Sequence, residues 1–176
     1  ISIVESLSMK QRSVYKKVVI LGDAGIGKTT LLHRFAHGAF NEKTRTTIGT
    51  SFYVHPIETK SGKRLNCQIW DLGGQAQFRA MGVFEKYMLG AHGTLLGFYI
   101  TSKKSFLGLS WWVDFIRKNA PHSPIILFGT KTDLEAHREV NFAEADRYAE
   151  RISSLTYIET SSKDDSNVGE LFKILF

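Results

Sequence analysis

The amino-acid sequence predicts an α/β fold of three layers, in which about five helices cover the two faces of a six-stranded, mainly parallel sheet. Three short apolar runs, at residues 18–21, 94–100 and 125–130, are typical of strands that are buried on both faces. A segment with helical spacing of its apolar residues follows each run, which predicts parallel strands joined by helices. The 176 residues suffice for one domain, which we expect at residues 15–176 after an N-terminal extension at residues 1–14.

The first strand leads into a glycine-rich loop and then into a helix. On this helix Leu31, Leu32 and Phe35 recur at helical spacing, and Gly38 marks its end. Residues 41–49 are polar and show no periodicity, so we expect a loop there.

A hairpin follows the loop. Residues 50–59 and 65–70 both have the character of strands, and the turn signal Ser61-Gly62 lies between them. This spacing predicts an antiparallel pair, which adds one edge strand to the parallel sheet.

The second half of the chain repeats the alternation of strands and helices. Helical spacing predicts helices at residues 102–119 and 141–152, and a short strand follows at residues 155–158. A last helix begins near Val168, and we expect it to continue beyond Phe176 because only two to three of its turns, about ten residues, fit before that point.

Composition and charge narrow the classes of function. Apolar residues make up 43% and charged residues 23% of the chain, which excludes a disordered or collagen-like chain. The chain has 23 Lys and Arg against 17 Asp and Glu, which gives a net charge of +6. A nucleic acid, a membrane surface or a phosphate-bearing ligand is therefore the first partner to consider. The single cysteine, Cys67, excludes a disulfide framework. No apolar run approaches the ~18 residues of a membrane-spanning helix, so we expect a soluble protein.

The sequence GDAGIGKT at residues 22–29 matches the phosphate-binding pattern G-x-x-x-x-G-K-[ST] in full, between a buried strand and a helix. Here the backbone N–H groups can surround an oxyanion at the helix N-terminus. Lys28 supplies a positive charge for the β- and γ-phosphates, and Thr29 supplies a hydroxyl for Mg²⁺. The alternative is a tight turn with a solvated lysine, and the loop alone leaves ATP and GTP open. The predicted phosphate-binding residues are Asp23, Ala24, Gly25, Ile26, Gly27, Lys28, Thr29 and Thr30.

Four further segments occur in the order and spacing of the small GTPases of the Ras superfamily, which the chain resembles from about residue 15 to its end. They are TTIGT around Thr47, WDLGGQ at residues 70–75, GTKTD at residues 129–133 and ETSSKD at residues 159–164. The resemblance implies the P-loop NTPase fold of a small G domain, with GTP or GDP and Mg²⁺ as ligands. It also implies a molecular switch that hydrolyses GTP to GDP and phosphate.

The resemblance assigns the guanine base to the loops that follow the last strands. Asp133 follows a buried strand, where its carboxylate can accept hydrogen bonds from the N1–H and amino groups of guanine. Thr130 stands where the family more often has Asn, but Rho-type members also carry Thr there, so guanine binding is still expected. The other predicted base contacts are the stem of Lys131, the ring of Phe40 and the loop of Ser161, Ser162 and Lys163.

The resemblance also assigns the metal ligands and the chemistry. Mg²⁺ prefers oxygen ligands and retains water, and the predicted ligands are Thr29, Thr47 and Asp71. A Thr47 hydroxyl that binds only when the γ-phosphate is present would order its loop with GTP and release it with GDP. The backbone of Gly74 would touch the γ-phosphate, and Gln75 is the predicted catalytic residue, which positions the attacking water.

One departure from the family bears on turnover. Ala24 stands where Ras-like members have Gly, and its Cβ crowds Gln75 and the arginine of an activating protein, so we expect slow intrinsic hydrolysis. The alternative function is a GTP-loaded binding scaffold, a pseudo-GTPase with negligible turnover. An ATP-dependent kinase is a third candidate, but it would leave Asp133 without a role.

Within the superfamily the chain is similar to divergent Rab proteins. The segment TIGTSF and the tripeptide GAH at residues 90–92 look Rab-like, whereas Leu72-Gly73 within WDLGGQ resembles Arf proteins. Phe52, Trp70 and Tyr87 match positions that form an effector-facing patch in Rab proteins, although packing against the sheet would also explain them.

The expected partners are a guanine nucleotide, an exchange factor, a GTPase-activating protein and effectors in vesicle trafficking. We expect a cytoplasmic monomer, attached to membranes through a C-terminal tail that the sequence lacks. Basic residues are scattered over several elements, so we expect no nucleic acid, and an anionic membrane surface is a secondary expectation. The protein partners would bind through residues 41–49 (Asn41 to Gly49) and residues 73–87 (Gly73 to Tyr87).

Overall fold

The computed structural model describes residues 14–43 and 45–176, and its strands form one sheet of six. Neighbouring strands follow the order β2-β3-β1-β4-β5-β6, in which β2 and β3 are antiparallel and the other pairs are parallel. This confirms the predicted sheet. Residues 1–13, most of the predicted extension, and Thr44 lie outside the described residues. The strands are β1 (Tyr15–Leu21), β2 (Thr50–Glu58), β3 (Arg64–Leu72), β4 (Gly93–Tyr99), β5 (Ile125–Thr130) and β6 (Tyr157–Glu159).

The hairpin of β2 and β3 closes at the predicted turn. The Thr59 N–H donates to the Lys63 carbonyl at 2.9 Å, and the Gly62 N–H donates to the Thr59 carbonyl at 2.9 Å. Gly62 has a φ of +77°, a conformation that glycine adopts without steric cost. The turn fixes a register in which Phe52 lies opposite Trp70.

Seven α-helices are found in the described residues, against the predicted five. Two of the additional helices, α2 and α3, are single turns between β3 and β4, and a 3-10 helix (Thr132–His137) follows β5. Helices of five and four residues are too short to show a periodic pattern of apolar residues, which is why the sequence did not reveal α2 and α3. The helices are α1 (Lys28–His37), α2 (Ala76–Ala80), α3 (Glu85–Met88), α4 (Lys103–Leu107), α5 (Leu109–Asn119), α6 (Phe142–Arg151) and α7 (Val168–Lys173).

The single helix predicted at residues 102–119 is two helices that meet at Gly108. The Ser102 hydroxyl caps α4 by accepting a hydrogen bond from the Ser105 N–H at 3.2 Å. The Gly108 N–H donates to the Lys104 carbonyl at 3.0 Å and closes α4 before α5 begins. A Cβ on Gly108 would lie 2.7 Å from the carboxylate of Asp23, so this junction allows the close approach of another loop.

Two clusters of buried side chains lie on the two faces of the sheet. Val19 and Leu21 of β1 face one cluster, which includes Trp112 of α5, and Val18 and Ile20 face the other. In the second cluster Phe35 of α1 stacks on Phe172 of α7, with ring centroids 3.9 Å apart. Helices therefore cover both faces, as the three-layer prediction requires. In the part of the chain that the structure describes, no helix has both the length and the apolar character that crossing a membrane needs.

Candidate functional site

A cavity of about 490 Å³ lies where β1, β3 and β5 end, and five segments of the chain line it. Ligands bind at this edge in open α/β sheets. Five predicted site residues lie outside the lining: Asp23, Ala24, Asp71, Gln75 and Ser161. Six lining residues are not among the predicted site residues: Asn41, Glu42, Arg45, Thr46, Gly73 and Leu134. The predicted residues that do line the cavity are Gly25, Ile26, Gly27, Lys28, Thr29, Thr30, Phe40, Thr47, Gly74, Thr130, Lys131, Asp133, Ser162 and Lys163.

The glycine-rich loop curls around the side chain of Lys28. The ammonium group of this buried lysine donates to the Gly22 carbonyl at 2.7 Å and to the Asp23 carbonyl at 3.0 Å. Burial lowers the pKa of Lys28 to about 8, against the charges of nearby carboxylates. Gly25 and Gly27 have φ of +79° and +97°, so the loop needs glycine at both positions to take this path. The loop thus holds a positive charge at the floor of the cavity.

Three oxygen-bearing side chains meet at the end of β3. The Thr29 hydroxyl lies 2.5 Å from the Thr47 hydroxyl and donates to Asp71 Oδ2 at 2.5 Å, and Thr47 donates to the same oxygen at 3.4 Å. Burial raises the pKa of Asp71, against hydrogen bonds from both hydroxyls and the charge of Lys28. Asp71 Oδ1 is also buried and has no hydrogen-bond partner among the described residues. Two hydroxyls and a carboxylate with an unpaired buried oxygen fit Mg²⁺, which takes hard oxygen ligands.

Residues 41–49 and the segment that follows β3 meet beside this cluster. The Gly73 N–H donates to the Gly49 carbonyl at 2.8 Å, which joins residues 41–49 to the end of β3. Gly74 lies against the glycine-rich loop, since a Cβ there would overlap the Gly22 carbonyl and lie 2.5 Å from the Ala24 nitrogen. Only glycine permits this approach, and the backbone of Gly74 therefore reaches the cavity.

Gln75 follows Gly74 and is the N-cap residue of helix α2. Its Oε1 atom is buried and has no hydrogen-bond partner among the described residues. A buried carbonyl oxygen without a hydrogen bond destabilises the folded chain by about 1–3 kcal/mol. A ligand or water that donates a hydrogen bond to Gln75 Oε1 would therefore be favoured. Ala24, the residue predicted to crowd Gln75, is exposed on the loop.

The opposite end of the cavity holds the carboxylate of Asp133. Its Oδ1 accepts a hydrogen bond from the Ser161 hydroxyl at 2.7 Å, and that hydroxyl accepts in turn from the Asp164 N–H at 3.1 Å. Ser161 is buried and therefore orients Asp133, while Ser162 and Lys163 line the cavity. This fixed acceptor suits a base with adjacent N–H donors.

Thr130 and Lys131 connect this end to the glycine-rich loop. The Thr130 hydroxyl donates to the Ile26 carbonyl at 2.6 Å, and Thr130 is buried. The Lys131 ammonium donates to the Gly25 carbonyl at 3.1 Å and lies 4.3 Å from the ring centroid of Tyr99. Thr130 therefore fixes the neighbouring loop, which is the role expected of the more common Asn.

Two arginines that the sequence analysis missed brace this end. Arg34 of α1 donates to the Ser162 carbonyl at 2.7 Å and to the Lys163 carbonyl at 2.8 Å. Arg138 donates from both terminal nitrogens to the carboxylate of Glu159 at 2.8 Å, and these contacts raise the pKa of Arg138. Neither arginine belongs to a motif, so only the folded chain reveals them.

A comparison with protein-family models identifies this architecture. The model of the Ras family matches residues 17–176, which is nearly the whole described chain. The chain belongs to the Ras family. Its relatives include Ras-related protein Rab-11A of Dictyostelium discoideum, 38% identical over 167 residues that cover 94% of this chain and 76% of the relative.

Other Ras-family relatives are also Rab proteins. Ras-related protein Rab-11C of Dictyostelium discoideum is 40% identical over 160 residues, covering 90% of this chain and 70% of the relative. Ras-related protein Rab-13 of Rattus norvegicus is 39% identical over 160 residues, with 90% and 77% covered. These matches confirm the prediction of a Rab-like small GTPase of the Ras superfamily. Proteins of this family bind guanine nucleotides, so the chain is a guanine-nucleotide-binding protein.

The aromatic residues singled out as Rab-like form one cluster on this Ras-family chain. The ring of Trp70 lies 4.7 Å from that of Phe52 and 5.3 Å from that of Tyr87, between centroids. Phe52 is 48% exposed, and Trp70 and Tyr87 are half-buried. The three rings therefore join the hairpin to the segment that contains α3.

Proposed function

We propose that this protein is a molecular switch that binds GTP in the cavity, hydrolyses it to GDP and phosphate, and acts in membrane traffic, the role that the resemblance to Rab proteins implies. The observation that carries the proposal is the meeting of Thr29, Thr47 and Asp71. It brings a loop hydroxyl to the same point as the glycine-rich loop and the end of β3. Through a contact of this kind, the conformation of residues 41–49 can depend on whether GTP or GDP is bound.

The phosphates would lie against the glycine-rich loop. Backbone N–H groups of residues 23–30 would bind their oxygens, and Lys28 would place its charge between the β- and γ-phosphates. The Lys28 ammonium already has two carbonyl acceptors, and its third proton remains for a phosphate oxygen.

Mg²⁺ would be held by Thr29, by Thr47 and, mainly through water, by Asp71. When bound, the ion neutralises charge on the β- and γ-phosphates. When the bound nucleotide lacks the γ-phosphate, the Thr47 hydroxyl would lose its contact with Mg²⁺, and its loop would be released.

The guanine base would lie at the other end of the cavity. Asp133 would accept hydrogen bonds from two guanine donors, because Ser161 holds its carboxylate in place. The Lys131 stem and the ring of Phe40 would cover the two faces of the base, and the backbone at Ser162 and Lys163 would donate to its carbonyl oxygen. Adenine lacks the two donors that would form hydrogen bonds to Asp133, so we expect the site to bind GTP much more strongly than ATP.

Hydrolysis would proceed by in-line attack of a water that Gln75 positions. Gly74 brings Gln75 next to the glycine-rich loop, and its unpaired Oε1 is available to accept a hydrogen bond from that water. We expect the intrinsic rate to be low because Ala24 adds a Cβ at a loop position that closely approaches Gly74: a Cβ on Gly74 would lie 2.5 Å from the Ala24 nitrogen. An activating protein would then supply an arginine.

Residues 41–49 and 73–87 would be the contact surface for the exchange factor, the activating protein and effectors. Both segments contact the cavity or the cation ligands, so their conformation would follow the bound nucleotide. We propose a monomer in the cytoplasm that reaches an anionic membrane surface through a lipidated C-terminal tail.

The second candidate is a GTP-loaded scaffold with negligible turnover. Two observations favour it: Gln75 lies outside the cavity lining, and Ala24 stands where Ras-like members have glycine. In this case GTP would be bound and the switch segments ordered, but the bound GTP would persist.

One experiment separates the candidates. The nucleotide released from the purified, denatured protein is identified by anion-exchange chromatography, and phosphate release from preloaded GTP is followed with Mg²⁺ and with EDTA. We expect GDP or GTP in the eluate and slow phosphate release that requires Mg²⁺. Bound ATP would contradict guanine recognition, and bound GTP without phosphate release would favour the scaffold.

A further inference from the structure

Helix α2 is tied to the glycine-rich loop through Asp23. Arg79 Nη1 lies 3.3 Å from Asp23 Oδ1, and each of the two side chains is 22% exposed. We propose that Arg79 is a positioning residue for GTP hydrolysis, which anchors α2 on Asp23 and so holds Gln75 beside the γ-phosphate. This inference rests on the proposed GTPase function and assigns it a residue that does not line the cavity.

Two tryptophans enclose the guanidinium group of Arg79. Its carbon lies 5.0 Å from the ring centroid of Trp111 and 5.4 Å from that of Trp112, and the two rings are nearly perpendicular at 88°. Trp111 is itself held by a stacked contact with Phe115, 5.4 Å between centroids. A planar guanidinium can pair with a carboxylate and contact rings at once, whereas an ammonium cannot do both equally well.

Asp23 is fixed independently of Arg79. Its Oδ1 accepts a hydrogen bond from Trp112 Nε1 at 2.9 Å, and Gly108 leaves room for the carboxylate at the start of α5. Asp23 follows Gly22 directly in the loop that curls around Lys28. Arg79 therefore attaches α2 directly to the glycine-rich loop. Loss of this contact would allow α2 to move relative to that loop.

The link from Arg79 to Gln75 is one turn of helix. The N–H groups of Phe78 and Arg79 both donate to the Gln75 carbonyl, at 3.1 and 3.4 Å. Helix α2 has five residues, no side-chain cap and no buried residue, so few contacts hold it besides those of Arg79 and the half-buried Phe78. A displacement of a catalytic group by about 1 Å can lower a rate about a hundredfold.

The first test compares single-turnover hydrolysis of preloaded GTP in full-length variants. We expect Arg79→Ala to lower the rate constant about tenfold and Arg79→Lys to give an intermediate rate, while the GDP dissociation rate stays within about twofold. Arg151→Ala is the matched control, because Arg151 also lies over a ring, Tyr148 at 5.3 Å, but on α6. A purely structural role would instead change GDP dissociation and thermal stability along with the rate.

A double-mutant cycle shows whether Arg79 acts through Asp23. We expect Asp23→Asn, which keeps an acceptor for Trp112, to slow hydrolysis about tenfold and the double variant to be no slower than either single one. Additive losses of about a hundredfold, or a wild-type rate in Arg79→Ala, would overturn this inference alone. A wild-type protein that binds GTP and releases no phosphate would overturn the proposed hydrolysis and this inference together.

Discussion

The two ends of the cavity are built differently. At the end proposed to hold the guanine base, the guanine end, Arg34, Thr130, Arg138 and Ser161 all make hydrogen bonds to residues more than 20 positions away in the chain. At the end proposed to hold the phosphates, the phosphate end, residues 45–49 have no regular structure and Ile48 is 81% exposed. The segment that follows β3 contains only single-turn helices. Regions with few buried contacts open at low free energy.

This difference matches two tasks of the proposed molecular switch. A base that must remain bound through the cycle needs loops that do not move, and cross-links between loops provide that rigidity. A segment that must respond to one phosphate group needs a conformation stabilised by only a few contacts, here those of Thr47, Gly49 and Arg79. We therefore expect the affinity for nucleotide and the ability to switch to depend on different residues.

The largest effect is expected at the contact between Gly74 and the glycine-rich loop. In Gly74→Ala the new Cβ would overlap the Gly22 carbonyl and lie 2.5 Å from the Ala24 nitrogen, so the segment must move away. We expect single-turnover hydrolysis to fall at least about a hundredfold and the preference for GTP over GDP to be lost. Gly169→Ala is the control, because its Cβ would meet nothing within 4 Å. Normal hydrolysis in Gly74→Ala would show that this contact is not needed.

The guanine end is tested by Arg34→Ala. The variant removes three charge-assisted hydrogen bonds, to the carbonyls of Ser162, Lys163 and Gly38. We expect GDP to dissociate about tenfold faster, since hydrogen bonds to charged groups contribute about 1.5–3 kcal/mol each and some will be replaced by water. The comparison is made by displacement of a fluorescent GDP analogue, with Arg147→Ala on the exposed face of α6 as the matched control. A GDP dissociation rate equal to that of the control would show that Arg34 is not needed to hold the loop of Ser162 and Lys163.

A smaller effect is expected from Thr130→Val. The substitution keeps the shape of the side chain but leaves the Ile26 carbonyl without its donor at 2.6 Å. Loss of one buried hydrogen bond costs about 1–3 kcal/mol, so we expect a lower melting temperature and GDP dissociation several-fold faster. Thr156→Val, at a half-buried position away from the cavity, provides the reference. If both variants behave alike, Thr130 does not link the base loop to the phosphate loop.

The smallest effect is expected from Ala24→Gly. Removal of the Cβ should relieve crowding at Gln75 and raise the single-turnover hydrolysis rate several-fold, which corresponds to about 1 kcal/mol in the barrier. Phosphate release from preloaded GTP measures it. An unchanged rate would mean that Ala24 does not limit turnover, and the slow step would have to lie elsewhere.

Most of the fold could be predicted because apolar runs and turn signals are local. The strands at residues 18–21 and 125–130 and the hairpin turn at Ser61-Gly62 follow from a few neighbouring residues. The division at Gly108 was not predicted, and the close approach of the Asp23 carboxylate that it accommodates leaves no local pattern because Asp23 is distant in sequence.

The candidate site shows the same limit. Motifs such as GDAGIGKT reveal the residues that would touch a ligand, because the chemistry of the ligand restricts their identity and spacing. Residues that position those motifs are less restricted: the contacts of Arg34 span 128 and 129 positions, and no local pattern records them. Arg138 was missed for the same reason.

The most direct measurement is hydrogen exchange of the backbone amides in two nucleotide states. The protein is loaded with Mg²⁺ and either GDP or a non-hydrolysable GTP analogue. We expect exchange at residues 45–49 and 73–80 to slow at least about tenfold with the GTP analogue. Exchange at residues 130–134 and 160–164 should be the same in both states within about twofold. Equal exchange at the first two segments, or a large change at the last two, would contradict the division between a switching end and a holding end.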